Sequence, residues 1–461
     1  MLESLAVLRV YLYNEKGEGM EISGFAEDII KKVLNRGCDA AEVFMKNSKG
    51  ISVEAKNGQV EALEASKGFG LALKVIKKKR IGFAFTTDKD NIEETISNAV
   101  QGTEWTGIDD YAGIPEQLPS EEVLIYDERV KDIQEEDMIK NSLLLEKSTL
   151  AYDKRIAKVR KAEVGAGEGH TIIANSNGVS VGYKSSYYSA HVTALAQDDS
   201  GQSQVGWDYA SSRKIDDVDI ESVGQRAAQR ATELLGSRKI SAVKVPVILN
   251  DAVAVDFLEI LSASLSAEAV QKKRSFLADR IGQSVISPLI DICDDGTIPW
   301  RAGTSPVDDE GVPTRMKQII SRGVLNGYIH NTYTARKDGV SSTGNAVRRG
   351  ASSLPGVGVT NFFIKPGELS HQDLTKSLPR GIVILSAMGV HTANPVSGDF
   401  SIGISGLWVE NGSVLYPVKE AIISGNILEM FKKVEGVGSN LVFYGSTGSP
   451  SILIGEMDIS A

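Results

Sequence analysis

Apolar and polar residues alternate along most of the first half of the chain, which is the pattern of half-buried β-strands. A helix is predicted before these strands, over residues 23–35, because apolar residues recur there at helical spacing and Ser23 can cap the first turn. Asn57 and Gly58 lie between two strands and predict a hairpin turn, since both residue types tolerate positive φ. Three further helices are predicted, over residues 91–101, 135–151 and 219–235.

Two neighbouring strands each have one face made of small residues. The first carries Gly70 and Ala72 between larger apolar residues, and the second carries Gly82 and Ala84 in the same way. We interpret these four residues as one thin sheet face, against which another element can pack closely. Together with the β-rich second half, this face is expected to leave apolar surface that one chain cannot cover. The pattern therefore predicts a two-fold homodimer of the isolated chain.

The pattern changes in the middle of the chain. A short apolar strand over residues 245–249 is followed by a long helix, which Asn250 or Asp251 can cap and which extends to about Arg274. From residue 280 onward, short strands alternate with glycine-rich turns. The predicted fold class is therefore α+β, with antiparallel sheets and helices in the N-terminal half and a β-rich barrel or sandwich with one long helix in the C-terminal half.

These patterns divide the chain into three parts. Residues 1–20 are predicted to be an extension, because they precede the first capped helix and show no sustained periodicity. Residues 21–240 form an N-terminal α+β domain of two sub-blocks, separated by a linker over about 105–132 that is rich in proline and acidic residues. Residues 241–461 form the C-terminal β-rich domain.

Composition and charge narrow the possible functions. The formal net charge of −10 argues against direct binding of nucleic acid, because DNA-binding proteins present a basic face to the phosphates. No run approaches the length of a membrane-spanning helix, so no membrane insertion is expected. The two cysteines, Cys38 and Cys293, lie far apart in sequence. They predict no disulfide framework and fit the reducing cytoplasm.

The candidate site residues lie in glycine-rich loops of the second half, and loops held by a rigid sheet are where sites usually occur. Asn345 and Arg348 belong to one loop, Asp399 to another, and His391 lies just before the latter. None of the five histidines pairs with another at a spacing of three to five residues, so the helical zinc motif is absent from the sequence. The loops that stand out cover residues 308–311, 342–348 and 397–400.

In their order and surroundings, these loops resemble the TldD/PmbA family of two-subunit peptidases, which are also described as modulators of DNA gyrase. The resemblance runs from about residue 22 to the end of the chain and identifies the C-terminal domain as one of metallopeptidase type. It also includes residues 408–412. The stretch over 401–408 is similar to the PmbA (TldE) branch rather than to TldD.

The active subunits of that family carry His-Glu-x-x-x-His on a helix and a cysteine far downstream, and the glutamate is the general base for a zinc-bound water. The matching helix here has Ala267, Glu268 and Lys272 in place of His, Glu and His, and the cysteine would fall near Gly438 or Ser439. Alanine has no donor atom, and an ammonium group repels a dication. Since Glu268 precedes Lys272 by four residues, the spacing instead favours an ion pair. We expect a degenerate motif without a catalytic residue or a metal.

The resemblance implies a PmbA/TldE-like subunit without its own zinc site. Such a subunit would pair with a TldD-like subunit that holds the zinc, and the pair would process or degrade unfolded peptides. Asn345, Arg348, His391 and Asp399 are the candidates for peptide contacts. Two alternatives remain open. One is a homo-oligomeric peptide-binding or scaffold protein without protease activity, and the other is an enzyme with a rebuilt site that uses Glu268 and Lys272 or an unpaired histidine.

Overall fold

A computed structural model describes residues 11–13 and 19–460 of the chain. The predicted extension over residues 1–20 therefore lies mostly outside the described residues. Within it, Tyr11–Tyr13 (β1) pairs antiparallel with Gly19–Glu21 (β2), directly before the first helix. Among the described residues, no helix is long and apolar enough to cross a membrane.

A six-stranded antiparallel sheet organises the N-terminal half. Its strands are β3 (Ala40–Lys56), β4 (Gln59–Lys77), β5 (Arg80–Thr86), β6 (Ile156–Asn175), β7 (Ser180–Gln197) and β8 (Ser203–Ser212). They lie in the order β5-β4-β3-β6-β7-β8, so one sheet joins the two blocks that the linker separates in sequence. The helices that pack on one face are α1 (Ile22–Asn35), α2 (Ile92–Trp105), α3 (Glu135–Ala151) and α4 (Ile220–Glu233), close to their predicted bounds.

The tip of the long β3–β4 hairpin is held by a helix. Asn57 and Gly58 have φ values of 56° and 72°, as the turn signal predicts. Their backbone N–H groups donate to the two carboxylate oxygens of Glu146, at 2.6 and 2.8 Å. Glu146 lies on α3 and is 3% exposed. One buried side chain therefore fastens the hairpin tip to the helix layer.

The strand register shows that the predicted thin face does not exist, because its four residues lie on opposite faces of the sheet. Gly82 pairs with Val75 on β4 and faces α2, where an added Cβ would lie 1.9 Å from the Ala99 carbonyl oxygen. Gly70 and Ala72 face the C-terminal half, and a Cβ on Gly70 would lie 2.8 Å from the Cβ of Ala351. Both close approaches are made within the chain, so these residues provide no argument for a dimer.

The C-terminal half contains two six-stranded sheets. Its strands are β9 (Val243–Leu249), β10 (Ile292–Asp295), β11 (Met316–Ser321), β12 (Val324–Leu325), β13 (Ala346–Val347), β14 (Gly356–Val357), β15 (Phe362–Ile364), β16 (Arg380–Met388), β17 (Asp399–Glu410), β18 (Ser413–Asn426), β19 (Val434–Val437), β20 (Val442–Tyr444), β21 (Thr447–Ser449) and β22 (Ile452–Ser460). Its helices are α5 (Asp251–Ser264), α6 (Ala267–Gln271), α7 (Thr332–Asp338), α8 (His371–Lys376) and α9 (Ile427–Lys432).

Five of these strands close into a barrel. They lie in the order β18-β17-β16-β9-β22, and β18 also pairs with β22, which completes the ring. The second sheet has the order β12-β11-β10-β15-β21-β20, and β13 and β14 form a separate small ladder. The predicted α+β class, with a β-rich C-terminal barrel, is confirmed.

Helix α5 packs into the core of the C-terminal half. Its Phe257, Leu258 and Leu261 are fully buried, and burying a side chain of this size stabilises the fold by about 1.5–3 kcal/mol. The sequence predicts one helix to about Arg274, but the helix is interrupted after Ser264. The backbone of residues 265–267 instead bonds with Ile329, and α6 starts as a separate short helix. Pairing with a distant segment is not visible in local helical periodicity.

Candidate functional site

A cavity of about 650 Å³ lies between the N-terminal sheet and the C-terminal half. Its floor is the sheet face that the four helices leave free, and Phe44 and Lys46 on β3 belong to it. Its roof consists of two loops of the C-terminal half, over residues 302–309 and 344–352. These loops contain two of the three stretches that stand out in the sequence.

Asn345 lines this cavity, but its side chain holds the roof together. It is fully buried, and its Nδ2 donates to Asp294 Oδ2 and to the Gly358 carbonyl oxygen, both at 2.8 Å. Its Oδ1 accepts from Thr343 Oγ1 at 2.7 Å. Asp294 also pairs with Lys317 at 2.9 Å. Since both donors of the amide are used inside the protein, the role of this side chain is to position the loop.

Arg348 joins the two halves of the molecule. Its side chain is 1% exposed, and its Nη2 donates to Glu42 Oε1 on β3 at 2.7 Å. Its Nη1 donates to the Ser353 carbonyl oxygen at 2.7 Å, and the guanidinium lies 5.1 Å from the centroid of the Phe44 ring. The sequence indicates Arg348 as a candidate for peptide contacts, and the structure places it at the seam between sheet and roof.

A buried ionic cluster continues from this contact. Lys74 on β4 lies with its Nζ 3.7 Å from Glu42 Oε2 and 3.5 Å from Glu310 Oε1. Burial raises the pKa of the Glu42 carboxyl, while Lys74 and Arg348 oppose that rise. We call Glu42, Lys74, Glu310 and Arg348 the seam cluster. Removing one partner from such a group leaves a buried charge uncompensated, which is strongly destabilising.

Three members of this cluster, Glu42, Lys74 and Glu310, are not among the site candidates from the sequence, although the sequence carries a signal for them. Glu42 and Lys74 are charged residues inside otherwise apolar strands, and the register places them directly opposite each other. Opposite charges at facing positions of two predicted strands indicate a cross-strand pair. The third member, Glu310, comes from a loop, and its Oε2 accepts from the Thr332 N–H at 2.8 Å.

The acidic residues of the stretch over 308–311 form hydrogen bonds at the same seam. Asp308 accepts from three backbone N–H groups, those of Glu310, Val312 and Ala346, at 2.9–3.0 Å. Asp309 Oδ2 accepts from the Arg348 N–H at 2.6 Å. These bonds fix the two roof loops to each other. Burial raises the pKa of the Asp309 carboxyl, and the bond from Arg348 opposes that rise.

The degenerate motif lies on α6. Ala267 is fully buried, and its N–H donates to the Ile329 carbonyl oxygen at 3.0 Å. Glu268 Oε1 and Lys272 Nζ form the ion pair that the spacing predicts, at 2.5 Å, with both side chains well exposed. Gly438 bonds with Ser451 through its backbone. A methyl group, an ammonium group and a glycine cannot ligate zinc, so the residues present do not fit the metal of the active subunits.

Within residues 11–13 and 19–460, no group of three or more histidine, cysteine, aspartate or glutamate side chains is arranged to hold a metal ion.

Of the other two candidates, Asp399 lies outside the cavity lining. Asp399 is exposed at the start of β17, and it accepts from Asn426 Nδ2 at 2.9 Å and Ser397 Oγ at 2.7 Å. These two bonds hold the pKa of the Asp399 carboxyl below its ordinary value. The backbone of His391 belongs to a 3-10 turn over Val390–Thr392, which follows β16. The structure therefore brings Asn345 and Arg348 together at the cavity, while Asp399 caps a loop elsewhere.

Comparison with known families divides the chain into three matched regions. The model of the PmbA/TldA metallopeptidase C-terminal domain matches residues 242–461. The model of the central domain matches residues 128–235, and that of domain 1 matches residues 41–102.

Individual relatives match almost the whole chain. The metalloprotease PmbA homolog of Buchnera aphidicola is 31% identical over 435 residues, which cover 93% of this chain and 94% of the relative. Metalloprotease PmbA of Escherichia coli O157:H7 is 30% identical over 431 residues, 92% of each chain.

Solved structures show the same fold. A proposed modulator of a DNA gyrase from Thermotoga maritima superposes with a TM-score of 0.88 at 29% identity, covering 95% of this chain and all of the other. TldE from Thermococcus kodakarensis superposes with a TM-score of 0.85 at 22% identity, covering 94% of this chain and 99% of the other.

Proposed function

Because the chain belongs to the PmbA/TldD metallopeptidase family, we propose that it is the non-catalytic, PmbA/TldE-type subunit of a two-subunit peptidase. Its partner is a TldD-like chain that holds the zinc and performs hydrolysis. The two together process or degrade unfolded peptides.

The observation that carries this proposal is the chemistry of α6. The active subunits need two imidazoles and a thiolate around zinc, and a free carboxylate to take a proton from the bound water. Here the Glu268 carboxylate is engaged by the Lys272 ammonium, and Ala267 contributes a methyl group. The exposed Glu268 carboxylate pairs with a lysine and has no metal-activated water beside it to deprotonate, so it cannot serve as the general base.

The free sheet face suggests what the chain contributes instead. Gly165, Gly167 and Gly169 recur on β6 at every second position, on the face opposite the helices, and the Tyr187 ring of β7 lies against the first two. Because β6 pairs with a strand on either side, a peptide cannot add to it as a further strand, and these glycines instead make room for a peptide to lie across the sheet face. The proposed role is thus to bind and orient peptides beside a partner's active site.

The decisive experiment is co-purification of the tagged chain from its native cell, with zinc measured by elemental analysis. We expect a TldD-like protein to co-purify, about one zinc per pair, and peptidase activity only in the pair. The isolated chain, loaded with zinc and dialysed, is expected to retain far less than one zinc per chain. A stoichiometric zinc in the isolated chain contradicts the proposal. Recovery of a homo-oligomer alone, without activity, favours the scaffold alternative.

A further inference from the structure

Arg213 lines the same cavity and has no acidic partner among the described residues. Its Nη1 donates to the Ser186 carbonyl oxygen at 3.2 Å, and its Nη2 donates to the Ala302 carbonyl oxygen at 2.7 Å. Its Nε is buried without a hydrogen-bond partner. A guanidinium remains charged in proteins and has further N–H donors beyond these two bonds. Within the described chain, its positive charge is thus matched by carbonyl dipoles and not by a carboxylate.

The cavity is long, and Arg213 lies at one end of it. Its floor residues follow the order of the strands, from Phe85 on β5 through Phe44 on β3 to Tyr183 on β7, and Arg213 directly follows β8. Adjacent strands lie about 4.8 Å apart, so the floor spans roughly 20 Å from the aromatic end to the guanidinium. An extended peptide rises about 3.3 Å per residue, and this distance therefore accommodates a segment of roughly four to six residues.

The other charges of the cavity favour a singly charged anion. Lys46, Arg348, Asp308 and Asp309 also line it, and Arg348 is paired with Glu42. Lys46 and the two aspartates together carry a formal charge of −1, which disfavours a doubly charged phosphate. A carboxylate matches the planar N–H groups of a guanidinium and adds a single negative charge. The far end of the floor, where Phe85 is exposed, suits an apolar side chain.

We propose that this cavity binds short peptides through their C-terminal carboxylate, which pairs with Arg213, while an apolar side chain about five residues upstream contacts Phe85. This inference rests on the proposed function, because that function gives the reason to expect a peptide as the ligand. Arg213 is in this view a specificity determinant for free C-termini. The polar side chains of Asn345 and Arg348 hold the roof of the same cavity.

The test uses the isolated chain and two probes, N-acetylated Phe-Ala-Ala-Ala-Ala-Ala with a free carboxylate and the same peptide as its amide. Isothermal titration is expected to give at least about tenfold tighter binding of the acid, because the amide loses a charge-assisted pair. Arg213→Gln is expected to abolish that difference. The matched control is Arg301→Gln, which removes the same charge from a nearby arginine that lies over the Phe443 ring and outside the cavity lining.

Two further measurements keep the inference testable if Arg213→Gln folds poorly. Arg213→Lys retains the charge and is expected to retain part of the preference for the acid. Phe85→Ala, at an exposed position at the other end of the floor, is expected to weaken binding of the phenylalanine peptide but not of a hexa-alanine peptide. Equal affinity of acid and amide, or no binding of either at about 10 mM, overturns the proposal. Displacement of the acid by equimolar inorganic phosphate also overturns the assignment to a carboxylate.

The outcomes of the peptide titrations do not depend on the outcome of the co-purification experiment. Failure of the peptide titrations leaves co-purification with a zinc-bearing partner intact. Conversely, a chain that binds free C-termini but recovers no partner contradicts the proposed function while the cavity assignment stands.

Discussion

Lys272 alters the motif on α6 more than the loss of a histidine alone would, because its ammonium group occupies the neighbouring carboxylate. The Glu268–Lys272 pair is exposed, and such pairs contribute at most about 1 kcal/mol to stability. The retained glutamate is therefore explained by a local ion pair and needs no role in hydrolysis.

Glu268→Ala is accordingly expected to leave the turnover of the assembled complex nearly unchanged, with Lys272→Ala as the matched control. A general base contributes orders of magnitude to rate, whereas a surface pair does not. Peptidase assays on both variants, with assembly verified by gel filtration, make the measurement. A loss of about a hundredfold or more in Glu268→Ala alone would assign it to catalysis.

Asp256 on α5 is expected to make the stability of the protein depend on pH. Burial, and then the nearby Glu259, raise the pKa of Asp256 to about 6. Between about pH 4 and pH 6 the unfolded chain ionises at this position while the folded chain stays protonated, so stability falls as pH rises. Asp256→Asn is expected to increase the free energy of unfolding by about 1–2 kcal/mol at pH 7 and by almost nothing at pH 4. Urea denaturation at both pH values tests this, and an equal effect at both would contradict it.

Close backbone contacts hold helices against strands, and the strand register determines which residues make these contacts. Gly82 on β5 lies against α2, and nothing larger fits between the strand and the helix. Gly24 on α1 is the opposite case, since a Cβ there meets no atom within 4 Å.

Gly82→Ala is therefore expected to lower the free energy of unfolding by about 1–3 kcal/mol through overpacking. Gly24→Ala, the control, is expected to leave it unchanged or to raise it by about 0.5–1 kcal/mol, because alanine favours the helix. Midpoints of urea denaturation compare the two variants with the parent chain. Equal midpoints for all three proteins would mean that α2 can move away from β5 at no cost.

Local signals predicted the elements well, because helical spacing, caps and the Asn57-Gly58 turn act over a few residues. They failed where distant segments meet. The interruption after Ser264 depends on Ile329, and the faces of Gly70 and Gly82 depend on which strand residues pair. The cavity was not predictable for the same reason. Asn345 and Arg348 were indicated by their glycine-rich loop. Arg213 directly follows an ordinary strand, and among the described residues it is distinguished only by the absence of an acidic partner for its guanidinium.

On the scale of the whole molecule, the seam cluster connects the two halves. Lys74 lies between carboxylates from both sides, and each of these side chains is buried. We expect Lys74→Met to lower the free energy of unfolding by about 3–5 kcal/mol at pH 7, since Glu310 loses its cation and Glu42 keeps only Arg348. The deficit should shrink as pH falls, because burial already raises the pKa of the Glu42 carboxyl and a protonated carboxyl needs no cation.

The control for this variant is Lys79→Met, which removes a lysine in the turn between β4 and β5 from an exposed pair with Asp110 and should cost at most about 1 kcal/mol. Calorimetry supplies a second readout, because weakening the seam is expected to split one unfolding transition into two. A single transition with an unchanged midpoint in Lys74→Met would show that the cluster does not couple the halves.

The seam also has a consequence for biosynthesis. Glu42 and Arg348 lie 306 residues apart in sequence. At roughly 5–20 residues per second, a ribosome needs about 15–60 s to supply the arginine after the glutamate has been added. Throughout that interval the nascent N-terminal sheet carries the Glu42 and Lys74 side chains without their partners from the C-terminal half. Chains that are released early, or that stall before residue 348, are thus expected to be recognised by chaperones and proteases through this uncovered face.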